Sequence, residues 1–286
     1  MALTAEAERW LRAGEHVDFR GHRIYVQRRA GESPTLLFLH GFPSSSFDWR
    51  RLLERETRHA TVVFDFLGFG LSDKPRDHDY TLGWQADLAE EMGRKHGPVF
   101  LVAHDIGTSV ASELMARDLE GRLELDVVGA LLLNGSMLQH LAEPTLGQRL
   151  LRGPLGPLFA RLTSERFFSQ QFGSLFSPGH PLSEEEARSQ WSLLRHGGGH
   201  RLGHKLIGYM DERYRFADRW HGAFRDWPKP LSLAWGMRDP VARPAVLEGL
   251  RELRPGVPVT QLEDLGHYPQ VEDPERLAEV LAATLT

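Results

Sequence analysis

The stretch Val99-Phe100-Leu101-Val102-Ala103-His104-Asp105-Ile106-Gly107-Thr108-Ser109 joins a fully apolar strand to a helix through one aspartate. A continuous apolar run of this length reads as a strand buried on both faces of a parallel sheet. Asp105 then sits on a sharp strand-to-helix turn, above the carboxyl edge of the sheet, with Gly107 where backbones crowd. The helix that follows aims its free amides and positive dipole end at the carboxylate, favouring its ionised form and stabilising negative charge that develops nearby. On this reading Asp105 is a nucleophile. The plainer reading makes it an N-cap, which Asp before a helix usually is.

Company elsewhere in the chain decides between the two. His40-Gly41-Phe42-Pro43 follows the apolar strand Leu36-Leu37-Phe38-Leu39 and opens a Ser-rich turn. A nucleophile on a strand-to-helix turn finds the second amide of its oxyanion hole in such a loop, which assigns the backbone N–H groups of Phe42 and Ile106 to that role. Asp239 lies in the turn Gly236-Met237-Arg238-Asp239-Pro240, after the strand Leu231 to Trp235. His267 lies in Gly266-His267-Tyr268-Pro269, after a strand from Val257 to Leu262. The order nucleophile, acid, histidine, each just past a strand, forms a catalytic triad. A lone loop His or Asp is nearly always solvated surface; the ordered set is not so explained.

The rest of the chain reads as one sheet domain interrupted once. Val17 to Phe19, Gly21-His22 and Arg23 to Gln27 form an opening hairpin. Apolar strands recur at 35–39, 61–66, 99–103 and 127–133 with helical stretches between them, which predicts an α/β fold with a mostly parallel central sheet flanked by helices. The Gly-rich loop Leu67 to Pro75 fits no phosphate-binding fingerprint and reads as a tight post-strand loop. From about Ser136 to Trp227 the strand rhythm stops, and Gly153-Pro154, Gly156-Pro157 and Gly197-Gly198-Gly199 break up helix-forming pieces. The expected organisation is a core of residues 1–135 and 228–286 with an inserted helical cap, 136–227, over the catalytic edge.

Composition sets the outer limits. With 286 residues, 41% hydrophobic and 26% charged, the chain can bury a sizeable core. A net charge of −5 with no basic block argues against a nucleic-acid partner. There is no cysteine, hence no disulfide and no thiolate chemistry. The acidic N-terminal stretch lacks the basic flank of a signal peptide and no apolar run is long enough to span a bilayer, so the expectation is a cytoplasmic protein with no membrane partner, monomeric or homodimeric. His196, His200 and His204 lie four apart, but the intervening glycines argue against a rigid helical metal site, and no metal or other cofactor is expected.

The identity of the nucleophile selects the reaction. A carboxylate attacking an acyl carbon would give a strained anhydride, whereas attack on a saturated carbon gives an alkyl ester. His267 can hydrolyse that ester by activating water, with Asp239 orienting the imidazole. Asp105 thus points to displacement at an sp³ carbon, followed by water attack on the Asp105 carbonyl.

These residues resemble the Asp-nucleophile branch of the α/β-hydrolase superfamily, which includes epoxide hydrolases and haloalkane dehalogenases. His104-Asp105-Ile106-Gly107, Leu132-Leu133-Asn134-Gly135, Gly208-Tyr209-Met210 and His267 to Pro274 are especially similar to the mesoderm-specific transcript group. Dehalogenases of the branch hold the halide with N–H donors after the nucleophile and in the His-Gly loop, where this chain has Ile106 and Phe42, so a halide would leave into an apolar wall. Epoxide hydrolases polarise the ring oxygen with cap tyrosines, and Tyr209, in the helical stretch Lys205 to Tyr209, falls where one is expected. A cap-core aromatic is its plainer role. No second tyrosine lies at 150–175, leaving Tyr214, a histidine or water to serve instead. The resemblance therefore implies an epoxide hydrolase acting on a small apolar epoxide and water through Asp105, His267, Asp239 and Tyr209. The alternatives are a dehalogenase with an atypical halide site and a non-catalytic ligand-binding homologue. Asn134, which cannot balance an imidazolium, Ser109, which packs, and Asp264, a loop carboxylate, receive no catalytic role. His104, pointing away from Asp105 by strand parity, reads as structural.

Overall fold

In the computed structural model, which describes residues 2–285, eight strands form one sheet in the order β1-β2-β4-β3-β5-β6-β7-β8. They are β1 Glu15–Phe19, β2 His22–Arg29, β3 Glu32–Leu39, β4 His59–Phe64, β5 Val99–His104, β6 Val127–Leu133, β7 Leu231–Gly236 and β8 Val259–Leu262. The β1/β2 hairpin and the β2/β4 pair are antiparallel, and every other pairing is parallel. After β3 the chain steps to one side to make β4 and then to the other to make β5. The two central strands therefore diverge in their connections, which opens a crevice at their carboxyl ends. Those ends carry His40-Gly41-Phe42 and His104-Asp105.

Period-two alternation explains why these strands are apolar on both sides. Val99, Leu101 and Ala103 of β5 enter the core on one face with Leu37, Leu39, Ala130 and Leu132. Phe100 and Val102 enter the other with Leu36, Phe38, Leu131 and Leu133. Each fully buried Val, Leu or Phe contributes roughly 1.5–3 kcal/mol, so a polar residue in this strand has to be satisfied by specific partners. Two strand ends fall inside the expected apolar runs. β4 stops at Phe64 because Asp65 turns inward and accepts the N–H groups of Ser46 and Leu71. β8 begins at Val259, since Pro258 can accept from Leu233 N–H but has no N–H to return.

The flanking helices are α1 Ala5–Ala13, α2 Arg50–Arg55, α3 Leu82–Gly93 and α4 Ile106–Leu119, with α12 Pro244–Leu253, α13 Pro269–Glu272 and α14 Pro274–Thr284 after the insertion. Between β6 and β7 come α5 Leu146–Arg152, α6 Gly156–Leu162, α7 Glu165–Gly173, α8 Glu184–Arg195, α9 Gly203–Leu206, α10 Tyr209–Arg215 and α11 Ala217–Asp226. Packing divides this stretch. Helix α11 lies along α4 and α12 as a flank of the core, while α5, α6 and α9 pack on one another and α7 on α8. Helix α8 is fastened to the core by Thr4 to Ser189 at 2.8 Å, Gln190 to Asp48 at 2.7 Å, and the buried Arg50–Glu186 pair. The segment from His196 to Leu202 is a kinked 3₁₀ turn with positive φ at Gly197 and Gly198, so His196, His200 and, beyond it in α9, His204 do not share a helix face. No helix among the described residues is long and apolar enough to cross a membrane.

Candidate active site

Asp105 occupies the turn between β5 and α4 with φ 47° and ψ −111°, a conformation that costs a non-glycine residue about 1–3 kcal/mol. The strain lifts the carboxylate off the strand end into the crevice. Two glycines permit the turn. A Cβ on Gly41 would come within 2.7 Å of His104 Nδ1 and 3.0 Å of Asp105 Cβ, and one on Gly107 within 2.3 Å of the Leu39 carbonyl oxygen.

Asp105 Oδ2 accepts the Phe42 N–H at 2.9 Å, which places one of the two expected donors beside the carboxylate. Tyr268 holds that loop from behind by donating its hydroxyl to the Phe42 carbonyl at 3.0 Å. At the start of α4 the N–H groups of Gly107 and Thr108 go to the carbonyls of His40 and Asp105. Ile106 is the first residue of α4, where an N–H has no intrahelical carbonyl to bond.

His267 and Asp239 come together as expected. Nδ1 of the imidazole lies 2.6 Å from Asp239 Oδ2, and the other carboxylate oxygen accepts from the N–H groups of Val241 and Ala242. With Nδ1–H donating to Asp239, Nε2 is the free basic nitrogen. Burial works against the imidazolium, but Asp239, through charge and hydrogen bond, and Asp105 outweigh it and raise the His267 pKa above its ordinary value. Asn134 braces the acid: its Nδ2 donates to Asp239 Oδ2 at 2.8 Å and to the Gly236 carbonyl, and its Oδ1 accepts from Gly236 N–H.

His104 is structural, as strand parity implies. Its Nε2 donates to the His267 carbonyl at 2.7 Å, and its Nδ1 accepts from Gln270 at 3.1 Å. Burial, and then the neighbouring His267, push its pKa down to about 3, so it braces the loop as a neutral ring.

The insertion supplies what local sequence did not show. Arg213 of α10, 2% exposed, reaches down to Asp105. Its Nη2 lies 3.2 Å from the Asp105 carbonyl and 3.3 Å from Oδ1, its Nε donates to Ser109 at 2.9 Å, and its Nη1 reaches Gln139. Two expectations change. Ser109 is an arginine acceptor rather than a packing residue, and the wall facing Asp105 carries a cation rather than being apolar. Burial alone would raise the Asp105 pKa, yet Arg213, followed by His267, brings it below the usual value.

Tyr209 does not sit inside a continuous helix from Lys205. Gly208 separates α9 from α10, and Tyr209 is the first residue of α10, one helical turn before Arg213. Its ring lies 4.6 Å from the Arg213 guanidinium carbon and 5.6 Å from the Phe42 ring, and its hydroxyl accepts from Gln148 at 3.3 Å. Burial and the Asp105 charge hold its pKa above that of an ordinary phenol, while Arg213 and Gln148 oppose them. Tyr214 is 52% exposed and cannot stand in for a second cap tyrosine. Asp264 is a surface carboxylate paired with Arg276.

Above the site lies a cavity of about 90 Å³, bounded below by Phe42 and His267 and above by cap residues including Leu151, Phe159, Phe168 and Gln148. His200 adds a nearly buried ring whose Nδ1 has no hydrogen-bond partner and whose pKa burial pushes down to about 4. A mostly apolar chamber with a few polar groups, His267 and Gln148 among them, suits a lipophilic molecule with one polar centre.

The mostly parallel eight-stranded sheet flanked by helices is that of an α/β hydrolase. The chain belongs to the alpha/beta hydrolase family, which matches residues 36–280. "Putative hydrolase LipZ" of Mycobacterium tuberculosis is 51% identical over 278 residues, 96% of each chain. The mesoderm-specific transcript protein of Mus musculus is 35% identical over 286 aligned residues, covering 95% of this chain and 85% of that one. Among solved structures, haloalkane dehalogenase DatA of Agrobacterium tumefaciens superposes with a TM-score of 0.76 at 20% identity, covering 95% of each chain. Epoxide hydrolase CorEH superposes at 0.73 and 18% identity, covering 95% of this chain and 98% of its own. At such identities these two structures speak for the fold alone.

Proposed function

We propose that the protein is an epoxide hydrolase converting small apolar epoxides to vicinal diols. The observation that carries this reading is the buried cluster at Asp105: an ionised carboxylate held by the Phe42 N–H, with Arg213 bonded to it and the Tyr209 ring against Arg213. Asp105 attacks a ring carbon, the carbon–oxygen bond breaks, and the electron pair goes to the ring oxygen, which takes a proton from Tyr209. The field favours that transfer when it is needed. Once Asp105 becomes a neutral ester, its charge no longer opposes ionisation of Tyr209, whereas Arg213 still favours it.

In the second half, His267 Nε2 takes a proton from water as the oxygen attacks the Asp105 carbonyl carbon. The Phe42 and Ile106 amides hold the oxyanion. Collapse breaks the ester bond, His267 protonates the departing alkoxide, and the proton left on the Asp105 carboxyl passes through solvent to the Tyr209 phenolate, so epoxide plus water balances to diol. A dehalogenase is the second reading, favoured by Arg213 as a cation placed to receive a departing halide.

Intact-mass analysis of the His267→Gln variant, exposed separately to epoxide and haloalkane panels, tests both. A gain equal to a whole epoxide, mapped to Asp105, is expected. An alkyl gain without halogen would establish the dehalogenase, and an unmodified Asp105 with both panels would overturn the nucleophilic reading.

A further inference from the structure

Seven large hydrophobic side chains of the described residues are exposed, and five of them, Leu146, Leu150, Leu155, Leu158 and Leu162, fall on or beside α5 and α6. Their exposures run from 40% to 70%. Clustering on one small helical pair distinguishes this patch from the scattered exposed leucines normal to any surface. The same two helices turn Gln148, Leu151 and Phe159 inward to line the cavity, so they form the wall between the chamber and solvent.

Charge around the patch is one-sided. Between Pro144 and Ser183 the sequence has Arg149, Arg152, Arg161 and Arg166 against a single acid, Glu165, in a chain whose net charge is −5. Arg149 pairs with Glu143 and Arg152 with Asp211. Arg161 and Arg166 are exposed and have no ion-pair partner among the described residues.

We infer that the outer face of α5 and α6 docks on an anionic lipid surface, the leucines entering the headgroup–acyl boundary and the arginines meeting lipid phosphates. Leucine next to unpaired arginine is the composition that such a boundary rewards. A second copy of the chain fits less well, because a two-fold interface would set this patch against itself and bring its arginines together. Docking there would place the chamber wall in the membrane, where apolar substrates collect. The expectation of no membrane partner rested on the lack of a spanning segment, which does not bear on a surface assembled from two short helices. The inference stands independently of the chemistry at Asp105.

Flotation of the wild-type chain with vesicles of phosphatidylcholine plus phosphatidylglycerol, and with phosphatidylcholine alone, tests it. The chain is expected to float with the anionic vesicles, with binding weakened by salt. Arg161→Gln/Arg166→Gln should weaken binding by about five-fold per arginine removed. Leu155→Ser/Leu158→Ser/Leu162→Ser should abolish it while leaving thermal unfolding unchanged, since those side chains pack little in the free protein. Failure of the wild type to float at low salt would overturn the inference, as would flotation undiminished by the leucine changes. A dimer abolished by those changes, without vesicle binding, would assign the face to a second copy.

Discussion

Arg213→Met is expected to slow ester formation while preserving much of the packing around Tyr209. The methionine keeps an apolar stem beside the ring but removes the guanidinium, whose side chain is 1% exposed beside a carboxylate that is 4% exposed. Two unit charges about 4 Å apart attract by about 4 kcal/mol at an effective dielectric of 20. Only part of that appears in the rate, because Arg213 stabilises the resting carboxylate as well as the charge that moves toward the leaving oxygen. Losing one preorganised stabiliser of a developing anion costs about 10²–10³ in rate, which is the expected fall. The acid limb of ester formation should also move up, since burial alone raises the Asp105 pKa once Arg213 is gone. Removing one partner of a buried pair costs about 3–5 kcal/mol in stability, and Asp105→Asn/Arg213→Met should recover much of the lost Tm by removing the orphaned charge. The assay is single-turnover mass analysis of ester formation in the His267→Gln background, with Tm measured for each variant. Ester formation at the parent rate with an unmoved acid limb would show that Arg213 merely straps α10 to the core.

Two further outcomes follow from charge and burial. Ester hydrolysis requires neutral His267, whose pKa is raised, so kcat should fall as pH drops through a value above about 6.5. Asp239→Asn should shift that limb to lower pH as well as reduce the rate; an unmoved limb in kcat profiles would refute the assignment of Asp239. Separately, burial pushes the Asp48 carboxyl up to about 7, against the hydrogen bonds from Ser44 and Gln190. A folded-state pKa above the unfolded value costs stability progressively as pH rises from about 4 to about 7. Asp48→Asn should therefore raise Tm at about pH 8 and leave it nearly unchanged near pH 4. An equal effect at both pH values would sink the argument.

Much of the catalytic edge was legible because it is local. A strand, a sharp turn and a helix lie within a dozen residues around Asp105, and period-two alternation alone sends His104 to the opposite face. The loops carrying Phe42, Asp239 and His267 each follow an apolar strand, and a mostly parallel sheet necessarily gathers such strand ends at one edge. Strand ends were less legible, since β4 stops where the Asp65 side chain captures two amides rather than where apolar residues run out.

Convergence of separate elements was not legible. Arg213 and Arg215 share one short helix and the same chemistry, yet only Arg213 lies on the face with Tyr209 that packs over Asp105, 108 residues away in sequence. The spacing from Tyr209 was the sole local hint. Asn134 likewise reveals its partner, Asp239, only once β6 and β7 pair. The outward turn of the α5 and α6 leucines was not legible either, because composition cannot say which side of an amphipathic helix meets its neighbours. Local periodicity determines which residues share a face; the packing of the β6–β7 insertion onto the sheet determines what each face meets, and with it the cation at Asp105 and the apolar surface turned to solvent.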